Sequence, residues 1–348
     1  QVETGSGPDL ARVTDVNRFK GFYLDMRPYM SNAAAWAANW PDAVLGSMRA
    51  ADDADGLYGF PTQFTVTGPY INRTLFEQAG VPVPSDTSDR VTWDEWVAAT
   101  TEVAEATGTP YAVAMDATGH RFWGPSLSLC ATYITDDGFQ IDTPGFRDAA
   151  EMLISWHEEG ITPLEVWAAS GGAYAAAADF FINGQVVLYM SGNWQVGNFS
   201  NQIGDVFDWE VIPNPCGDCG CTGIPGGAVM VTFAGTDHPE EVTRLVEYLT
   251  QEEVLGEFTA RSLFIPGHLG LVERGVDYPS NSEALNAFAG QIPNLMPEAY
   301  ALQYHPLTFV LNPEIRDRLS QVLVGELTLD EAIERIQQRM DEAVAEQQ

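Results

Sequence analysis

Short apolar runs alternating with clearly punctuated helices predict an α/β protein. A length of 348 residues predicts two lobes rather than one. No low-complexity tether or internal repeat interrupts the chain, so it is expected to cross between lobes on ordered segments. Apolar residues make up 45 % of the chain and include nine tryptophans, enough for a substantial core. No apolar run approaches the ~18 residues needed to span a bilayer. The most continuous one, Ala228 to Ala234, has the length of a strand.

Strands are expected at Phe64–Ile71, Tyr111–Met115, Gln185–Met190 and Ala228–Phe233. Each is apolar nearly throughout, as a strand covered on both faces should be, and mainly parallel sheets are expected. Between them, Thr92 and Glu95 form a capping box for a helix that stops at Gly108. Thr143-Pro144 starts another, with Phe146, Ala149, Ala150, Leu153 and Ile154 on one face, ending at Gly160. His238-Pro239 opens a helix with the stripe Val242, Leu245, Val246 and Leu249. Asn312-Pro313-Glu314 begins one that ends at Gly325. Thr328 and Glu331 cap the last, whose core side is Ile333, Ile336, Met340 and Val344, and the polar Ala345–Gln348 reads as a natural frayed end.

The charge balance excludes some functions. Acidic residues number 49 against 16 basic ones, and Lys20 is the one lysine. A net charge of −33 opposes contact with nucleic acid or anionic lipid. Dissolved ions screen such self-repulsion, so an acidic, lysine-poor surface suits salty surroundings and says little about a ligand.

Several segments, taken in order, resemble the bacterial extracellular solute-binding protein family 1, whose members include maltose-binding proteins. They are Ser6-Gly7-Pro8-Asp9-Leu10, Gly21-Phe22-Tyr23-Leu24-Asp25, Gly56-Leu57-Tyr58-Gly59-Phe60-Pro61, Tyr70 to Val81 and Thr92-Trp93-Asp94-Glu95. Phe181 to Met190 with Trp194, the pair Gly226-Gly227, and Val324 to Ala332 follow. The chain departs from the family pattern in lacking several dozen residues before the first motif, in Gly267-His268 after Pro266, and in a Cys216-Gly-Asp-Cys219-Gly-Cys221 loop. It starts at Gln1 with no visible signal peptide, and is expected to be part of a longer protein.

The resemblance implies a periplasmic binding protein-like II fold, two α/β lobes with a ligand cleft between them. Residues 1–68 and 226–264 are expected in the N-terminal lobe, and 69–225 and 265–348 in the C-terminal lobe. It further implies an extracytoplasmic, monomeric substrate-binding protein that closes about a hinge on a carbohydrate and delivers it to ABC permease subunits. No catalysis, cofactor or metal is expected.

A sugar presents C–H faces and a hydroxyl rim, which favours aromatic plates with amide partners. Trp194, directly after a buried strand, is the first candidate plate, its alternative being a ring packed under the loop. Trp123, after a strand and a glycine turn, either lines the cleft or is core, and Trp40, one helical turn after Trp36, is a second plate or a buried helix face. Trp93, Trp96, Trp156 and Trp209 read as core. Gln63 and Thr62 are candidates for the polar rim. Gly226 and Gly227 allow close backbone approach to a ligand or supply a hinge. Tyr300 is a further candidate, and Arg121 either meets a uronate carboxylate or answers a neighbouring acid.

Cys216, Cys219 and Cys221 allow a disulfide within the loop, with Cys216 and Cys221 as the expected pair, or another pairing. A metal site remains an alternative, completed by Cys130 or a histidine. Cys130 itself reads as a small buried apolar residue. A glycoside-acting enzyme is the main rival reading, because acids and tryptophans also furnish glycosidase clefts. A receptor for a polyamine or peptide is the other. No nucleophile elbow, phosphate loop or His-Glu-x-x-His motif is present.

Overall fold

The computed structural model describes residues 7–49, 53–168 and 177–346. Ser6 of the first motif and the terminal Gln347-Gln348 lie outside them. Packing divides the chain into two units, residues 1–65 with 226–282 and residues 66–225 with 283–348.

In the first unit, β1 (Leu10–Val13) begins the chain's strands, and β2 (Gly59–Asn72) enters here before running on into the second unit. The helices Ala33–Ala37, Asp42–Met48, Pro239–Leu249, Glu252–Ser262 and Leu269–Arg274 belong to this unit. Their core gathers Trp36, Trp40, Leu45, Met48, Val246, Leu255 and Leu271, all buried. Trp36 donates from Nε1 to the Thr250 hydroxyl at 2.8 Å, which satisfies its one polar atom inside this core. Lys20 sits half-buried in this unit, and burial lowers the pKa of its amine.

The second unit contains β3 (Tyr111–Met115), the short hairpin β4 (Ile134–Thr135) and β5 (Gly138–Phe139), then β6 (Val186–Gly192) and β7 (Trp209–Val211). The last strand, β8 (Pro225–Thr232), leads back into the first unit, where it pairs antiparallel with β1 from Leu10↔Thr232 to Val13↔Val229. β3 runs parallel to β6, whereas β2 runs antiparallel to both β6 and β7. An aromatic cluster covers this sheet, with Phe199 centred 4.9 Å from both Tyr70 and Phe181. Burying one such ring contributes about 2–3 kcal/mol.

Local signals placed the helices well. Thr92 and Thr328 each accept from the backbone of the glutamate three residues on, and each glutamate returns the bond, so both capping boxes close. Their helices span Trp93–Thr107 and Leu329–Ala345. Thr143 caps Pro144–Glu158 through the Phe146 amide.

Five expectations are corrected. The sheets are not mainly parallel, because apolar strands report cover on both faces but not direction. The helix expected from Asn312 begins at Thr308 and carries Pro313 inside it; the carbonyl that Pro313 leaves unmatched belongs to Phe309, on an exposed face. Leu245 is exposed and Ala343, not Val344, completes the buried stripe of the last helix. Residues 265–282 pack with the first unit, not the second. Ile265 bridges Phe64, whose amide donates to its carbonyl at 2.8 Å, and the His268 ring stands edge-on to Trp40 at 5.1 Å.

The cysteines form two bridges in the second unit, Cys216–Cys221 as expected and Cys130–Cys219 across 89 residues. Cys130 is thus not a buried apolar residue. It is exposed, follows the helix Gly119–Ser128, and adopts a φ of 74°. A non-glycine residue in that region is held by its surroundings, here the bridge. The two bridges engage all four cysteines, which leaves no thiolate for a metal.

Candidate functional site

In the second unit, β3 and β6 point the same way and are in register at Met115↔Met190. Ligands of open α/β sheets gather at the carboxyl ends of such strands. Two short segments leave that edge. Asp116 to Thr118 leads into the helix Gly119–Ser128, capped by the Thr118 hydroxyl, which accepts from the Arg121 amide at 3.0 Å. Gly192 to Gln195 follows β6.

Asp116 is fully buried where β3 ends. Its carboxylate accepts from the Tyr189 hydroxyl at 2.6 Å, the Ser191 hydroxyl at 3.0 Å and the Ala177 amide at 2.9 Å. Arg121 Nε lies 3.4 Å from the same carboxylate, an ion pair without hydrogen-bond geometry. The guanidinium carbon then sits 4.2 Å from the centre of the Trp194 ring. A cation over an indole face at this distance is favourable, and more so where water is largely excluded.

Trp194 is half-buried. Gly192 makes its position possible, because a Cβ there would strike the Trp194 ring and stand 2.8 Å from the Val66 carbonyl oxygen. The turn is fixed by the Tyr70 hydroxyl donating to the Gly192 carbonyl at 2.8 Å and the Val66 amide donating to Asn193 Oδ1 at 2.9 Å. The turn that carries the Trp194 ring is thereby fixed on both sides.

Arg121 also donates to His120 Nδ1 at 2.7 Å. An arginine only donates, so the imidazole is neutral with its proton on Nε2, beside the Pro225 carbonyl and Gln303. Burial, reinforced by the Arg121 charge, pushes the His120 pKa down to about 3 from its ordinary 6.5. The unfolded chain takes up this proton first, so the stabilising contribution of neutral His120 falls as pH drops from 6.5 towards 3. Urea unfolding of the wild type and His120→Gln across that interval is expected to show the steeper loss in the wild type. Parallel curves would contradict the assignment.

The first unit offers a second group. Gln63, on β2, is buried, and its Oε1 has no hydrogen-bond partner among the described residues. A buried acceptor without a donor costs about 1–3 kcal/mol, which a ligand hydroxyl would offset. Gly227, at a φ of 152°, lies on the Gln63 carbonyl, where any side chain would collide. Thr62 spends its hydroxyl on the Ala228 carbonyl at 2.9 Å, so it ties β2 to β8. Trp40 is buried against Trp36, Phe60 and His268, with its Nε1 unpartnered among the described residues.

The structure thus joins Trp194 with Arg121 in the second unit, and Gln63 with Gly227 in the first. Gly226 is buried at the start of β8. Trp123 is wholly buried with its ring 5.7 Å from His120, so it offers no face to a ligand and supports the helix from beneath. Tyr300 is half-buried on Pro297–Tyr304, a helix that packs against Gly119–Ser128. Arg121 answers an acid, Asp116. Sequence reasoning missed Asp116, although a lone carboxylate closing an apolar strand was a readable signal, and it missed Tyr189 and Ser191, which read as strand filling.

A sequence profile of the bacterial extracellular solute-binding proteins matches residues 1–255. The chain belongs to that family. A Brucella abortus protein named as a binding protein is 25 % identical over 246 residues, 68 % of this chain and 56 % of that protein. The match therefore spans little more than half of the length of these relatives. Among solved solute-binding proteins, the ABC substrate-binding protein of Listeria monocytogenes in complex with cycloalternan superposes with a TM-score of 0.81 at 15 % identity. That superposition covers 99 % of this chain and 87 % of the other. The GacH receptor of Streptomyces glaucescens, solved unliganded and with acarbose, gives 0.77 at 18 % identity over 97 % and 84 %. The sugar-binding protein MalE of Xanthomonas citri gives 0.71 at 21 % over 99 % and 86 %. These likenesses establish the periplasmic binding protein-like fold. Among the described residues of this family member, no helix is long and apolar enough to cross a membrane.

Proposed function

We propose that this solute-binding protein is the extracytoplasmic receptor of an ABC importer and that its ligand is a carbohydrate. The observation that carries the reading is the Trp194 ring, only partly buried and rigidly mounted at the carboxyl edge of β3 and β6 beside a charged donor, Arg121. An indole suits the C–H face of a pyranose, and guanidinium and amide groups suit its hydroxyls. Two of the similar proteins were solved with oligosaccharides, cycloalternan and acarbose, which supports the ligand class. Gln63, with its unpaired acceptor, is the contact assigned to the first unit. The chain passes between units at Thr65–Val66, Pro225–Gly226 and Ser282–Glu283, and ligand is retained by hinge closure about these connections. The receptor acts as a monomer and hands its ligand to membrane permease subunits.

A thermal-shift screen against mono- and oligosaccharides tests this reading. At least one sugar is expected to raise the melting temperature and alter tryptophan fluorescence, and to be recovered unchanged. Hydrolysis of a chromogenic glycoside, abolished by one carboxylate substitution, would replace the receptor with an enzyme. A shift with spermidine or putrescine alone would replace the sugar with a polyamine.

A further inference from the structure

Asp116 is wholly enclosed, so no ligand touches it. Yet the groups around the indole depend on it. On one side, Arg121 spans the 3.4 Å to its carboxylate and the 4.2 Å to the ring centre, so the guanidinium is held between a fixed anion and the plate. On the other, Gln195, the residue after Trp194, donates from Nε2 to the Tyr189 hydroxyl at 3.2 Å, and that hydroxyl donates to Asp116 at 2.6 Å. Ser191, on the strand that delivers Trp194, donates to the second carboxylate oxygen. One buried carboxylate thereby links β3, β6, the Arg121 helix and the turn bearing the plate.

We propose that Asp116 is a positioning residue that sets ligand affinity through Arg121 and Trp194 without contacting the ligand. A carboxylate is the chemistry this position requires. It accepts from three donors at once while supplying the negative charge that keeps a cation against the indole instead of in water. An asparagine of the same shape would face the Ser191 hydroxyl and the guanidinium with neutral or donating atoms. Arg121 would then be free to swing off the ring, and each binding event would first have to reorder it. The proposal rests on the carbohydrate reading for its ligand, but not for its effect on Trp194.

The test is a double-mutant cycle on the full chain, using Asp116→Asn, Arg121→Met and both together, with the sugar identified by the thermal-shift screen as titrant. Asp116→Asn is expected to weaken binding about fivefold, and to cost clearly less in the Arg121→Met background, because part of its effect runs through that residue. Additive losses, or unchanged affinity in Asp116→Asn, would overturn the proposal. A ligand-free readout stands beside the cycle. Asp116→Asn should change the tryptophan emission spectrum, and the change should vanish in a Trp194→Phe background. An emission change that persists there would show a diffuse structural effect and would also overturn the proposal. If no sugar binds the wild type, the carbohydrate reading fails, while this emission comparison still decides the role of Asp116. Asp116→Glu, which keeps the charge, is expected to restore part of the wild-type spectrum. A chain that unfolds in Asp116→Asn but not in Asp116→Glu supports the need for charge, and equal unfolding of both counts against a positioning role.

Discussion

Replacing Cys130 and Cys219 together by serine is expected to lower the unfolding free energy by about 4.6 kcal/mol, the chain-entropy value for a loop this long. The bridge closes 89 residues, whereas Cys216–Cys221 closes five, for which the same relation gives about 2 kcal/mol. For a unit of this size, 1 kcal/mol moves the midpoint by about 2–4 °C, so the long bridge is worth on the order of 10 °C. Cys130 and Cys219 are both exposed, so serine hydroxyls there reach water and add no burial penalty. Calorimetry under non-reducing conditions reads the effect directly. A midpoint within roughly 3 °C of the wild type would mean that the bridge ties together segments already held by their own packing.

Trp194→Ala is expected to weaken sugar binding at least tenfold, on the order of 1.4 kcal/mol. The loss has two sources. The indole face that stacks on the sugar is removed, and Arg121 loses the ring that orients it. Because the residue is not fully buried, the unliganded fold should lose less than a wholly buried tryptophan would on truncation. Trp194→Phe, which keeps an aromatic face, is expected to retain most of the affinity. Isothermal titration of the three proteins with one sugar makes the comparison. Equal affinity in the alanine variant would return Trp194 to a packing role and remove the main support for the carbohydrate reading.

Legibility followed the range of the interactions. The helix ending at Thr107 and the one starting at Leu329 were readable because their caps close within three residues of sequence. β3 was readable to the residue, since Tyr111–Met115 is bounded by a helix stop and a polar turn. Strand direction was not, because β2 meets β6 after a long excursion that leaves no periodic trace. Cys130 escaped for the same reason, its partner lying 89 residues away and its own surroundings being apolar. The turn that bears Trp194 was legible from its place after an apolar run. Trp123 stayed undecided between cleft and core because a glycine turn before a helix reads alike whether the helix faces ligand or core. Asp116 disappeared among 49 acids, since what distinguishes it is complete enclosure, which one sequence does not display.

Lys20 has a practical consequence. It carries the one side-chain amine of the chain, in the first unit, and partial burial keeps a larger share of that amine unprotonated than in a free lysine. Acylating dyes would therefore attach to a single side chain, and reagents that join two lysines would find no second one in the same molecule. Coupled to a sensor surface through that amine, a copy would be anchored on the first unit, leaving Trp194 of the other unit unmodified.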